Sequence, residues 1–171
     1  YEFGMGSCGE NHPIGACHSD GRWFCSDFSP AMTSCFRRWL KAKYPSDQAL
    51  QQAWSMPEVT RDEAQVPPRE ERLRTDWFTF RDPQRAWCAD FHQCFAERIE
   101  EMVITLCGTI KRSTRRESLA GSHLGGMMDV GFHAYIYNQT CTNMVRRALA
   151  HPDVDTFTSP ASYENRDPGG D

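Results

Sequence analysis

The sequence predicts an α/β fold of parallel strands joined by long crossover helices, and three observations carry that expectation. Short strand-like runs open, divide and close the chain, at 1–6, 118–124 and 154–159. Helical periodicity recurs between the first two runs, strongest over 83–112, and a shorter helical pattern separates the second from the third. Strands that alternate with helices pair in parallel through right-handed crossovers. The pattern leaves two architectures open, a doubly wound sheet and an arc of a (β/α)8 barrel.

Each element has a local reason. Tyr1–Gly6 reads as a strand, and Ser7–Phe28 as a long loop rich in Gly, Cys and His. Ser29-Pro30 is a helix start, with Ser as the cap and Pro at the first helical position. Cys35, Phe36, Trp39 and Leu40 then form an apolar stripe at helical spacing, predicting a helix over 30–43. Tyr44-Pro45-Ser46 ends it, and Ser46 caps a second helix over 47–54 through Ala49, Leu50, Ala53 and Trp54. Met56 to Thr79 reads as irregular and charged, with Pro57, Pro67 and Pro68 as breakers. Asp82-Pro83 is another cap-plus-Pro start. It opens a helix over 83–112 whose apolar face is Trp87, Phe91, Cys94, Phe95, Ile99, Met102, Val103, Leu106 and Ile110. Lys111 and Arg112 in its last turn suit the helix dipole. A Gly-rich strand and loop follow over 118–128, then a helix over 141–150 and a last strand, VDTFTS.

Composition bounds the function. The chain has 171 residues, enough for one domain with a sizeable core. Its apolar content of 39% is modest, and a mean hydropathy of −0.64 makes it polar for a globular domain. That suits a chain whose core is completed by other segments. The chain opens inside a strand and closes just past another. Residues 1–171 are therefore expected to be one internal piece of a larger enzyme, truncated at both ends. A net charge of −4 argues against nucleic acid as a partner. No apolar run is long enough to span a bilayer. The eight cysteines, at 8, 17, 25, 35, 88, 94, 107 and 141, include no C-x-x-C pair. They read as reduced structural thiols, with no metal expected and a cytoplasmic location favoured. Disulfides, or a metal cluster of Cys8, His12, Cys17, His18 and Cys25, are the competing reading.

In either parallel architecture the ligand site lies at the C-terminal ends of the strands. Three segments qualify: Gly6–His12, His123–Asp129 and Ser159–Arg166. Each carries an acid, respectively Glu10, Asp129 and Glu164. Such acids are commonly solvated loop residues. Their functional reading is the acid/base of a glycosidase, a carboxyl group beside the scissile oxygen with its pKa tuned by burial. Trp23, Phe24, Tyr135, Tyr137 and Tyr163 are loop-borne aromatics that either pack or stack on a sugar ring. Gly4-Met5-Gly6-Ser7-Cys8-Gly9 has dinucleotide-loop spacing, but no helical pattern follows it, and no G-x-S-x-G elbow occurs. No cofactor is expected.

Several phrases share one likeness. Phe28-Ser29-Pro30-Ala31-Met32, leading into Phe36-Arg37-Arg38-Trp39-Leu40-Lys41-Ala42-Lys43-Tyr44, resembles a helix phrase of glycoside hydrolase family 42 and related β-galactosidase-like barrels. Ala49-Leu50-Gln51-Gln52-Ala53-Trp54 matches the adjoining helix. Val66–Arg72 and Phe80-Arg81-Asp82-Pro83 look like the approach to the long helix. Ser159–Tyr163 with Asp167-Pro168-Gly169-Gly170 looks like the end of the sixth barrel strand. The similarity covers nearly the whole chain. It implies a partial (β/α)8 TIM barrel, about strands four to six.

The resemblance puts Tyr1–Gly6 at the fourth barrel strand, so Cys8-Gly9-Glu10-Asn11 falls on the family's acid/base turn and Glu10 inherits that role. Cys8 and Asn11 stand where the family has Thr and Trp. Family zinc ligands would fall on Asp27, Ser29 and Met32, so no zinc site carries over. The nucleophile would come from a seventh strand outside this sequence, and Glu164 does not match it. The implied function is a retaining β-galactosidase-like glycosidase acting on a carbohydrate, its parent compatible with a homo-oligomer. Asn11, Trp23, Tyr163 and Glu164 are the expected substrate contacts. The alternatives are an inactive sugar-binding barrel and a small Cys/His metal module.

Overall fold

The computed structural model describes residues 2–3, 27–72, 85–123 and 146–158. Eight elements occur among them: β1 (Glu2–Phe3), α1 (Pro30–Lys43), α2 (Asp47–Trp54), α3 (Arg69–Arg72), α4 (Ala86–Ser113), β2 (Gly121–His123), α5 (Arg146–Leu149) and β3 (Thr156–Thr158). The strands form one sheet in the order β1-β2-β3. Both pairs are parallel, with Glu2 opposite Gly121, and Gly121 opposite Thr156.

Local chemistry sets the first two helices. The Ser29 hydroxyl accepts from the Met32 N–H at 3.1 Å, and Pro30 occupies the first helical position. Ser46 caps α2 in the same way, accepting from the Ala49 N–H at 3.1 Å. Each cap satisfies an amide the helix cannot and is worth about 1 kcal/mol. Helix α3 falls inside a stretch that reads as irregular. Pro67 and Pro68 mark its entry rather than a break, and the Arg72 N–H closes one turn onto the Pro68 carbonyl at 3.1 Å.

Helix α4 organises the rest, touching α1, α2, α5 and β2. Its N-terminal half closes a core of Met32, Phe36, Leu40, Leu50, Trp54, Ala64, Val66, Phe91 and Cys94. Phe36 sits at the centre, stacked with Trp54 at 6.0 Å and edge-on to Phe91 at 5.4 Å. Its C-terminal half closes a smaller core of Val103, Cys107, Ala120 and Ala148, against which Val154 and Phe157 pack. The expected cap Asp82 lies outside the described residues.

The buried face of α4 departs from the expected one. Phe91, Cys94 and Val103 are buried, but Met102 and Leu106 are 42% and 37% exposed. Polar residues with built-in partners take the inward positions instead. Glu100 accepts from the Arg147 and Ala148 amides at 2.5 and 2.9 Å, capping the start of α5. Lys111 pairs with Asp155 at 2.5 Å and donates to the Ser118 carbonyl at 2.9 Å. Buried charges satisfied in this way are tolerated where isolated ones are not.

Asp90 joins three helices. Its carboxylate accepts from Lys43 Nζ at 2.7 Å, from the Tyr44 hydroxyl at 2.7 Å and from Trp54 Nε1 at 2.8 Å. The carboxylate is 4% exposed; its bond to Trp54 is buried, while the Tyr44 and Lys43 donors reach it from partly exposed positions. Asp90→Ala leaves a half-buried hydroxyl and a buried indole N–H without their acceptor. Urea unfolding should show a loss of about 3 kcal/mol or more, and a smaller loss for Asp90→Asn, which keeps one acceptor oxygen.

Gly121 is required by the close approach of β2 to β3. A methyl group there would overlap the Thr156 carbonyl oxygen and Cγ2. Gly121→Ala should therefore part the two strands and cost about 1–3 kcal/mol. Amide exchange at Asp155, whose N–H donates to the Ala120 carbonyl at 2.9 Å, should quicken with it.

Candidate functional site

Parallel strands present chemistry at their C-terminal ends, and the last described residues toward those ends are Phe3, His123 and Thr158. Successive side chains of a strand point to opposite faces. Phe157 packs against the Val103 and Cys107 cluster, so its face of β3 turns toward α4. Ser122, its register partner, is fully buried. His123 and Thr158 therefore share the other face, away from α4. They stand directly opposite in the register, and His123 Nδ1 lies 2.8 Å from Thr158 Oγ1. Both are half-buried. This is a polar pair with defined geometry at the edge where a ligand would approach.

The opposite end of the sheet is built for stability. Asp155 Oδ2 accepts from the Ala120 N–H at 2.7 Å and meets Lys111 Nζ. These donors hold its carboxyl below the usual carboxylate range, the Lys111 hydrogen bond most of all. Arg116 adds a bridge to Asp153 at 2.7 Å and donates to the Pro152 carbonyl at 3.0 Å. The clamp fixes where β2 and β3 begin, and hence which residues meet at their far ends.

Of the three loop segments expected to form the site, only His123 belongs to the described residues. Glu10, Asn11, Trp23, Tyr163 and Glu164 all lie outside them, as do Asp129 and the cysteine and histidine loop from Cys8 to Cys25. Thr158 was not singled out in the sequence. The signal that finds it is the strand register, which sequence alone does not supply. Among the described residues no three His, Cys, Asp or Glu side chains converge to hold a metal ion. No helix among them is long and apolar enough to cross a membrane.

An open cleft of about 490 Å³ separates α1 from α4, lined by Cys35, Arg38, Trp39, Lys43, Gln93 and Glu97 among others. Its polar groups are spent largely on one another. Trp39 Nε1 donates to Glu97 Oε2 at 2.6 Å, and Gln93 Nε2 donates to Glu97 Oε1 at 3.0 Å. Lys43 Nζ donates to Gln93 Oε1 at 3.0 Å and lies 4.8 Å from the Trp39 ring centre. The arrangement reads as a strut between two helices more than as a receptor.

The buried titratable groups are structural as well. Tyr44 is held protonated well above the ordinary phenol range, by burial first and by its bond to Asp90 second. Burial likewise pushes the Cys94 thiol up, so it is no nucleophile. The Arg72 guanidinium lies against Phe91 at 4.6 Å and Phe28 at 5.3 Å. His92, buried nearby, has its pKa pushed down from 6.5 to about 3, first by burial and then by the charge of Arg72.

Comparison of the chain with protein-family models, with curated proteins and with solved structures yields no match.

The His92 shift sets a pH dependence of folding. The unfolded imidazole takes up a proton below pH 6.5, while the folded one stays neutral until about 3. Its contribution is complete above 6.5 and is lost as pH falls through that window. Urea unfolding at pH 7 and pH 5 should show the native chain losing about 2 kcal/mol more than His92→Gln over the same interval.

Proposed function

We propose that this chain forms part of a retaining β-galactosidase-like glycosidase, a segment of a (β/α)8 barrel about strands four to six, with Glu10 as its general acid/base. One observation supports the reading above others. Three parallel strands lie side by side in chain order, linked through helices, and a polar His–Thr pair sits at their C-terminal ends. Sequential parallel neighbours are what successive staves of a barrel require. The helix phrases around Phe36–Tyr44 and Ala49–Trp54 add the resemblance described above. They fall on α1 and α2.

In the proposed reaction Glu10 protonates the glycosidic oxygen as a carboxylate nucleophile attacks the anomeric carbon. It then takes a proton from the water that releases the sugar. The nucleophile belongs to a seventh strand that these residues do not include. Retention requires the two carboxyl groups to stand about 5–5.5 Å apart. Asn11, Trp23, Tyr163 and Glu164 are the proposed sugar contacts, and neither a metal nor a cofactor enters the mechanism.

The test is Glu10→Gln in the protein that carries this chain. Turnover of substrates with poor leaving groups should fall by about 10²-fold or more. Activated aryl glycosides need little protonation and should be far less affected. Azide should partly restore turnover of the activated substrate by attacking the glycosyl-enzyme without a general base. Unchanged turnover of a poor-leaving-group glycoside would rule Glu10 out.

A further inference from the structure

We infer that Ser118 is a phosphorylation site for an arginine-directed protein kinase, placed in the turn from α4 to β2 so that a phosphate there loosens the clamp on the sheet. The inference does not depend on the glycosidase reading.

The turn reads Arg115-Arg116-Glu117-Ser118-Leu119. Kinases of this class hold two arginines in acidic pockets, three and two positions before the acceptor hydroxyl, and take an apolar side chain just after it. The turn displays each of those parts. Arg115, Arg116 and Glu117 are exposed. Leu119, at 68%, is the most exposed large apolar side chain among the described residues. It adds nothing to the core, yet stands where such a kinase reads. Arg115 makes no ion pair and Ser118 Oγ no hydrogen bond among the described residues.

The turn is also easy to open. Arg115 and Arg116 stand at φ 51° and 65°, the left-handed region that residues with a side chain rarely adopt. Drawing the segment into an extended shape relieves both. In exchange Arg116 releases Asp153 and the Pro152 carbonyl. The Arg115, Arg116 and Glu117 amides give up their turn bonds, and the Ser118 carbonyl gives up Lys111. Such local opening at the surface costs far less than unfolding.

In the transfer, Ser118 Oγ attacks the γ-phosphorus of ATP. The bond from that phosphorus to the bridging oxygen breaks, ADP leaves, and the hydroxyl proton passes to the kinase's catalytic aspartate. Ser118 then carries a charge of about −2. Its carbonyl lies 2.9 Å from Lys111 Nζ, the ammonium that holds Asp155. The phosphate competes with Asp155 for that ammonium and repels its carboxylate. Asp155 accepts from the Ala120 amide, and its own amide donates to the Ala120 carbonyl. The entry of β2 and β3 therefore loosens.

The experiment incubates the folded protein with ATP and the catalytic subunit of cyclic-AMP-dependent protein kinase, and locates phosphate by mass spectrometry. Phosphate is expected on Ser118 and is lost in Ser118→Ala, which removes an unpartnered hydroxyl and should fold as the native chain does. Arg115→Ala breaks no side-chain contact and should slow the transfer by about tenfold or more. No phosphate, or phosphate on Ser113 or Thr114 in place of Ser118, overturns the inference. So does a rate that Arg115→Ala leaves unchanged. Amide exchange reads the consequence. The Ala120 and Asp155 amides should exchange faster in the phosphorylated chain than in the unmodified one, while those of α1 keep their rates. Equal rates at Ala120 and Asp155 overturn the coupling to the sheet.

Discussion

The acceptor that Asp90 provides is the interaction on which the helical part of this molecule depends. One carboxylate, carried on α4, receives a cation and a phenol from the end of α1 and an indole from the end of α2. The apolar core around Phe36 supplies most of the driving force, since burying each large side chain is worth about 1.5–3 kcal/mol. Hydrophobic burial is non-directional, however, and many helix rotations would satisfy it. A dry carboxylate is not so tolerant. With three donors converging on it, the carboxylate favours the one relative placement of the three helices that brings all three donors within reach. The role is one of specificity more than of net stability, because taking the charge out of water offsets much of what the bonds return.

The sheet follows the same logic at the other end of α4. Lys111 and Asp155 clamp the entry of β2 and β3, and Gly121 lets the strands close on each other. The two halves of the long helix thus do different work. The first half gathers helices around a buried acid, and the second presents a parallel sheet whose far ends carry His123 and Thr158. Structure is concentrated at the strand entries and chemistry is proposed at the exits, the division expected of parallel α/β folds.

Much of the helix layout was legible because it depends on neighbours in sequence. Ser29-Pro30 and Ser46 announce α1 and α2, and both helices span the expected residues. The three strands lie within the expected ranges and pair in parallel. What could not be read depends on residues far apart. Periodicity marks Asp90 as polar and therefore outward, because its three partners are 36 to 47 positions away. Glu100 and Lys111 displace Met102 and Leu106 from the inner face of α4 for the same reason. Prolines 67 and 68 look alike whether they break a helix or introduce one, so α3 was hidden. At the proposed site, His123 was visible as part of a strand-end segment, while Thr158 depends on register. Glu10, Asn11, Trp23, Tyr163 and Glu164 rest on phrase and position in the chain.

The bond between Trp54 and Asp90 has an optical consequence. Trp54 is 2% exposed, and its indole N–H is committed to a carboxylate rather than to water. The excited state of an indole is strongly dipolar, and its emission moves to the red as mobile water relaxes around it. A dry indole facing a fixed negative charge is shielded from that relaxation. The colour of Trp54 fluorescence is thus a readout of whether the three helices are still docked. It answers to the hub itself rather than to helix content.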